Sequence, residues 1–175
     1  MDKGLLHIYS GEGVGKTTAS VGLAIRAAGN NMKVVFCQFM KGAPSGEIEV
    51  LKKIPEITVF RNDIDFGFSP TFTDEKKSSI TSFHNATLEK AMEIMKSEVI
   101  DLLILDEINP AYELELVDRE FVKNIVLNRD EHLEIVMTGR NPDAVFMEKA
   151  DYISEIACVK HPFYNGVKAR KGIEF

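Results

Sequence analysis

An α/β fold, with a mostly parallel central sheet and helices on both faces, is predicted by three features of this 175-residue sequence. Short apolar runs alternate along the chain with longer amphipathic segments. A glycine-rich loop joins the first such run to the first such segment, and the run Leu102 to Asp106 (LLILD) is apolar nearly throughout, as a strand covered on both faces must be. No internal repeat, low-complexity tract or Pro/Gly linker divides the chain, so residues 1–175 are read as one domain. A chain of this length buries about 70% of the surface its unfolded form exposes.

The first apolar run is Leu5 to Tyr9 (LLHIY), and Ser10 to Thr18 (SGEGVGKTT) follows it directly. Thr18 to Gly29, rich in Ala, Val, Leu and Ile, then reads as a helix. In this strand-loop-helix context Gly11, Gly13 and Gly15 let the backbone turn its N–H groups inward around an anion, because glycine reaches positive φ without a steric penalty. The positive end of the following helix favours the same charge, Lys16 adds a full cation, and the Thr17 hydroxyl suits a phosphate-bound Mg²⁺. Gly11, Glu12, Gly13, Val14, Gly15, Lys16, Thr17 and Thr18 are therefore the expected triphosphate cradle of a P-loop NTPase-like domain. Ser10 stands where the GxxxxGK[ST] pattern has its first glycine. A glycine-rich turn with a chance lysine is the plainer alternative.

Beyond Gly29, a polar turn leads into Val34 to Met40 (VVFCQFM), a second buried strand with Gln38 and Lys41 at its end. A short helix is expected at Gly46 to Ile54 before Pro55, and a brief strand at Ile57 to Phe60. Arg61 to Thr73 (RNDIDFGFSPTFT) has no helical period. Its Phe66, Phe68 and Phe72 either tuck into the core or line an apolar ligand site. Ile80, Phe83, Leu88, Ala91, Ile94 and Met95 mark an amphipathic helix from Asp74 to about Ser97, with His84 a packing or surface group rather than a ligand. The LLILD strand ends at Asp106 and Glu107, Walker-B-like candidates for Mg²⁺, the alternative being a helix cap and a solvated acid. Asp118 caps a helix ending by Arg129, Glu134 to Thr138 is a strand, a helix covers Asp143 to Lys149, and Tyr152 to Val159 is the last strand.

Parallel strands place their carboxyl ends on one edge. That edge would gather Lys16 and Thr17, Gln38 and Lys41, Asp106 and Glu107, and Thr138 and Arg140. Arg140 could equally form a surface ion pair, and the basic tail Lys160 to Lys171 is either a solvated end or a flap over the site. With 27 acidic against 21 basic residues, a net charge of −6, bulk charge does not hold a nucleic acid here, and small-molecule partners are expected. Cys37 and Cys158 read as reduced thiols of a cytoplasmic protein. No leader and no apolar run of bilayer length is present, so no membrane association is expected.

With these motifs assembled, the chain resembles the P-loop ATP:corrinoid adenosyltransferases, the cob(I)yrinic acid a,c-diamide adenosyltransferases of cobalamin synthesis. The markers are GEGVGKTT, QFMKG (Gln38 to Gly42), LDEIN (Leu105 to Asn109), TGRN (Thr138 to Asn141) and the ending VKHPFYNGVKARKGIEF. A residue other than glycine at position 10 is similar to the family's own form of the loop. The resemblance implies transfer of the 5′-deoxyadenosyl group of ATP to the cobalt(I) of a reduced corrinoid, whether cobalamin, cobinamide or cobyrinic acid a,c-diamide. Triphosphate is released, with Mg²⁺ accompanying ATP. Beside this resemblance, the loop and the strand ends give Lys16 an expected catalytic part, Gln38, Lys41 and Arg140 expected nucleotide contacts, and Thr17, Asp106 and Glu107 expected metal contacts. The resemblance also implies a triphosphate lying reversed in the loop, a homodimer, and an electron donor such as a flavoprotein.

Phe68 aligns with the first of an apolar pair that displaces the lower axial ligand of cobalt(II) in related enzymes. Pro70 stands where some relatives carry the second aromatic, so the wall there is thinner or is completed by Phe66 or Phe72. Some relatives carry an N-terminal extension over the corrinoid; here that cover is expected to be missing or to come from a second subunit. Two other functions compete: a P-loop ATPase or kinase moving the γ-phosphoryl group, and a non-catalytic adenosylcobalamin carrier.

Overall fold

Residues 3–64 and 72–174 are described by the computed structural model of the chain. The strands are β1 (Leu6–Ser10), β2 (Val34–Gln38), β3 (Ile57–Arg61), β4 (Leu102–Asp106), β5 (Glu134–Thr138) and β6 (Tyr152–Glu155). The helices are α1 (Lys16–Ala28), α2 (Gly46–Leu51), α3 (Asp74–Ser97), α4 (Ile108–Glu113), α5 (Arg119–Leu127) and α6 (Ala144–Met147), and a 3-10 turn covers Pro162–Asn165. The strands form one sheet in the order β3-β2-β4-β5-β1-β6, and every neighbouring pair is parallel. The α/β class read from the sequence is the observed one.

Alternation along each strand splits the core in two. Val34, Phe36, Leu102, Ile104 and Val136 meet α1 and α2 on one face. Val35, Cys37, Leu103, Leu105, Ile135 and Met137 meet α3, α4, α5 and α6 on the other. Both faces being covered explains why β2 and β4 are buried at every position. Connections running from β1 through β2 to β3 use the first face, and those returning through β4 and β5 to β6 use the second, as one constant hand of crossover requires. The chain therefore leaves the adjacent strands β2 and β4 on opposite faces, which opens a crevice at their carboxyl ends.

Local chemistry fixes the helix ends. The buried side of α1 consists of Ser20, Val21, Ala24, Ala27 and Ala28, small residues that let it lie close to the sheet. In α3 the Thr73 hydroxyl accepts from Lys76 N at 3.3 Å, with Asp74 and Glu75 in the first turn and Lys96 in the last. Asp118 caps α5 through Phe121 N at 3.0 Å, and Asp143 caps α6 through Val145 N at 3.0 Å.

Several boundaries differ from expectation. The predicted strand Val34 to Met40 stops at Gln38: Phe39 N still reaches Asp106 O on the neighbouring strand (2.9 Å), and Met40 then turns the chain out at φ 58. The predicted strand Tyr152 to Val159 stops at Glu155, since Ile156 is taken up by the glycine loop. Helix α4 was not expected directly after Glu107. It holds Pro110 in its first turn, where no intrahelical N–H is needed. On α3 the buried stripe is Ile80, His84, Thr87, Leu88 and Ala91, so His84 replaces Phe83 on the inner face, and Phe83 is 39% exposed. Phe66, Phe68 and Pro70 lie outside the described residues. Residues 160–174 are exposed apart from half-buried His161, so the basic tail lies in solvent. No helix among the described residues is long and apolar enough to cross a membrane.

Candidate active site

The glycine loop after β1 is built against the segment after β6. Ile156 N donates to Ser10 O (2.8 Å), and Gly13 N donates to Ile156 O (2.7 Å). A Cβ on Gly13 would lie 2.7 Å from both Ile156 O and Ala157 O, so glycine there serves close backbone approach rather than positive φ. Positive φ is needed at Gly15, the N-cap of α1, where φ is 113. No side chain caps α1 and no acid lies in its first turn, so its leading N–H groups and its positive end are left for an anion. Lys16 is buried, and its Nζ donates to Gly11 O (2.7 Å) and Gly13 O (2.8 Å), which lays the ammonium across the loop. Burial lowers the Lys16 pKa from the ordinary lysine value, and Glu107 works in the opposite sense.

The carboxyl ends of β2, β4 and β5 complete the constellation. Asp106 is fully buried; its Oδ1 accepts from Thr138 Oγ1 (2.7 Å) and its Oδ2 from Gln38 Nε2 (3.0 Å). Thr138 Oγ1 in turn accepts from Glu107 N (2.9 Å), and Glu107 begins α4 in the left-handed region, φ 60. Lys41 Nζ donates to Thr17 Oγ1 (2.8 Å) and lies 3.5 Å from Asp106 Oδ2 and 3.6 Å from Glu107 Oε1. Arg140 pairs with Glu12 through Nε at 3.0 Å, both side chains being more than half exposed. Seven expected site residues thus join in direct contacts around one edge: Lys16 with its loop, then Thr17, Lys41, Gln38, Asp106, Glu107 and Thr138. Among the described residues Arg140 meets the loop through Glu12.

These donors suit a hard divalent cation. Thr17, Asp106 and Glu107 offer oxygens around one point, which the Lys41 ammonium already marks as a place for positive charge. Gln38 Oε1 is buried beside Asp106 with no partner among the described residues, an acceptor suited to a hydrogen of an ion-bound water. Among the described residues no group of three or more His, Cys, Asp or Glu gathers as a transition metal would require. Mg²⁺ needs only one or two carboxylates when phosphate and water supply the rest.

Two further residues contribute, one of them His84, the packing group expected on α3. Asn109 is buried with Oδ1 unpartnered among the described residues, and its Nδ2 is 3.4 Å from Gly139 O; its place in the LDEIN run is the available signal. His84 is buried on α3, with Nδ1 2.7 Å from Leu116 O and Nε2 accepting from Met40 N at 3.2 Å. A backbone N–H at one nitrogen and a carbonyl at the other fix the neutral Nδ1–H tautomer. Burial lowers the His84 pKa. The ring thereby holds the turn that carries Lys41, and no sequence spacing announces that link.

Comparison with known proteins agrees along the whole chain. The family model described as ATP:corrinoid adenosyltransferase BtuR/CobO/CobP matches residues 2–175. A corrinoid adenosyltransferase of Sinorhizobium sp is 33% identical over 177 residues, covering 99% of this chain and 81% of that protein. One from Pseudomonas aeruginosa is 33% identical over 175 residues, covering 99% and 85%. That of Salmonella typhimurium is 31% identical, covering 99% and 87%. Among solved structures, the cytoplasmic domain of EssC superposes with a TM-score of 0.56 at 18% identity, covering 96% of this chain and 34% of that one. A KaiC-like protein of Pyrococcus horikoshii does so at 0.51 and 14%, covering 89% and 73%. Those two likenesses concern the fold alone. The family model and the full-length relatives go further: the chain belongs to the ATP:corrinoid adenosyltransferase family.

Proposed function

We propose that this chain transfers the 5′-deoxyadenosyl group of ATP to the cobalt(I) of a reduced corrinoid, in cobalamin biosynthesis or salvage. The observation that carries the reading is the cation-lined glycine loop. It lies at an uncapped helix start and meets Thr17, Lys41, Asp106 and Glu107 at one edge of the sheet. Membership of the family supports the acceptor.

In this reaction the cobalt(I) electron pair forms a bond to C5′, the C5′–O bond breaks, and its pair leaves with triphosphate. Cobalt(I) is itself the nucleophile, so no general base is required. The protein's part is alignment and stabilisation of the departing charge. Lys16, released from Gly11 O and Gly13 O, would donate to polyphosphate oxygens, as would the loop N–H groups and the start of α1. Gln38, Lys41 and Arg140 would flank the nucleotide. Thr17, Asp106 and Glu107 would hold Mg²⁺, whose charge would offset that of the triphosphate. The reversed placement of triphosphate would turn C5′ toward the corrinoid. Phe68, outside the described residues, is assigned to the lower face of the corrinoid. A homodimer, a flavoprotein electron donor and a cytoplasmic setting complete the proposal.

The test combines ATP, Mg²⁺ and chemically reduced corrinoid, following the visible spectrum for a light-sensitive cobalt-carbon product and identifying the phosphate product. Adenosylated corrinoid with inorganic triphosphate is expected. ADP in place of triphosphate would instead identify a γ-phosphoryl transferase, and stoichiometric adenosylcobalamin binding without turnover a carrier.

A further inference from the structure

We infer that Lys41 is a built-in competitor of the divalent cation, holding the metal's oxygens until nucleotide draws it away. The inference rests on the metal role proposed for Thr17, Asp106 and Glu107. All three direct an oxygen at one ammonium: Thr17 Oγ1 at 2.8 Å, Asp106 Oδ2 at 3.5 Å and Glu107 Oε1 at 3.6 Å. A metal ligated by the same atoms cannot share that point with Nζ, since like charges at such separation repel strongly beside a fully buried carboxylate.

The surroundings are arranged for exchange. Asp106 Oδ2 also accepts from Gln38, and Oδ1 from Thr138, so the carboxylate keeps its orientation whichever cation it faces. Among the described residues Gln38 Oε1 has no partner, leaving one acceptor that the ammonium does not use and a hydrated ion would. The Lys41 side chain is 38% exposed, so it can leave without unpacking the core. It follows Met40, whose left-handed turn is tied to His84 rather than to any metal oxygen, so its anchor survives its departure. A nucleotide's phosphate oxygens would supply the displaced ammonium with new acceptors while adding ligands for the metal. Metal and nucleotide then bind with positive coupling, and metal alone binds weakly.

The experiment titrates Mn²⁺ into the full chain, with free Mn²⁺ read by electron paramagnetic resonance, first without nucleotide and then with a non-reactive ATP analogue. Wild type, Lys41→Met, Lys41→Gln and Asp106→Asn are compared. Without nucleotide, both neutral Lys41 variants should bind Mn²⁺ about tenfold more tightly than wild type, because a charge-assisted competitor is gone. With the analogue present the difference should shrink, since nucleotide has already drawn Lys41 away. Unchanged or weaker nucleotide-free Mn²⁺ binding in both variants would overturn the inference. If Asp106→Asn still removes Mn²⁺ from the analogue complex in that case, the metal role stands and only the competition fails. Should Asp106→Asn bind Mn²⁺ and analogue as wild type does, the metal role falls and the inference with it.

Discussion

Replacing Gly13 by alanine would test the bracing of the glycine loop. The new methyl carbon would lie 2.7 Å from the carbonyl oxygens of both Ile156 and Ala157, whereas ordinary contact begins at 3.4 Å. About 0.7 Å of separation must therefore be found between two stretches of backbone, neither with a flexible side chain that could yield. The same movement would stretch the 2.7 Å bond from Gly13 N to Ile156 O beyond useful length. Overpacking costs roughly 1–3 kcal/mol and the lost hydrogen bond about 1 kcal/mol. For a chain of this size that lowers Tm by roughly 4–16 °C. A loop displaced by most of an ångström should also lose about 100-fold in turnover. Gly22→Ala is the control: beyond the backbone of its own helix no atom of the described residues lies within 4 Å of its Cβ, it is exposed on α1, and alanine there should add ~0.5–1 kcal/mol. Thermal melts with and without ATP, together with adenosyl-transfer rates, check both variants. Gly13→Ala with wild-type Tm and turnover would refute the close-approach explanation.

Lys16→Ala should lower turnover by roughly 100- to 1,000-fold, the range for loss of one preorganised donor, while circular dichroism shows the fold retained; near-normal turnover would remove Lys16 from the chemistry. His84 should make stability depend on pH. Its folded pKa lies below the ordinary value of 6.5, so only the unfolded chain takes up its proton between the two. Its contribution is full above 6.5 and declines as pH falls through the window beneath; His84→Gln should flatten that part of the urea-midpoint profile, and an unchanged slope would contradict this. Phe68→Ala should impair reaction starting from cobalt(II) more than reaction starting from cobalt(I); equal losses would leave Phe68 a packing residue.

Much of the fold was legible because burial on two faces writes itself as apolar runs. LLILD and EIVMT were read at their observed bounds, since both strands are central and lie between the two helix layers. Ends were less legible where backbone atoms have business elsewhere. Phe39 and Met40 continue the apolar pattern of β2, yet the backbone turns away at Met40, whose N–H is held by His84. Ile156 to Val159 continues that of β6, yet Ile156 braces the loop. Helix α4 was hidden by Pro110, which looks like a breaker until it is placed in a first turn.

At the site, parallel connectivity foretold which strand ends would meet, and Lys41, Asp106, Glu107 and Thr17 do meet. That one ammonium would contact all three oxygens depends on the left-handed turn at Met40, which has no signature in a methionine. The tie from His84 crosses 44 residues and has none either.

The position of β1 between β5 and β6 has a consequence for how the protein is made. Of the six strands of this sheet β1 is synthesised first, but its neighbours are Glu134–Thr138 and Tyr152–Glu155, the last two of the sheet to be made. Until then the strand has no hydrogen-bonded ladder, and its glycine turn lacks the Ile156 support. Arrested chains ending before residue 134 should fail to retain nucleotide, however much of the β2-β3-β4 half has formed. Competence should appear abruptly once residues 134–156 have been added.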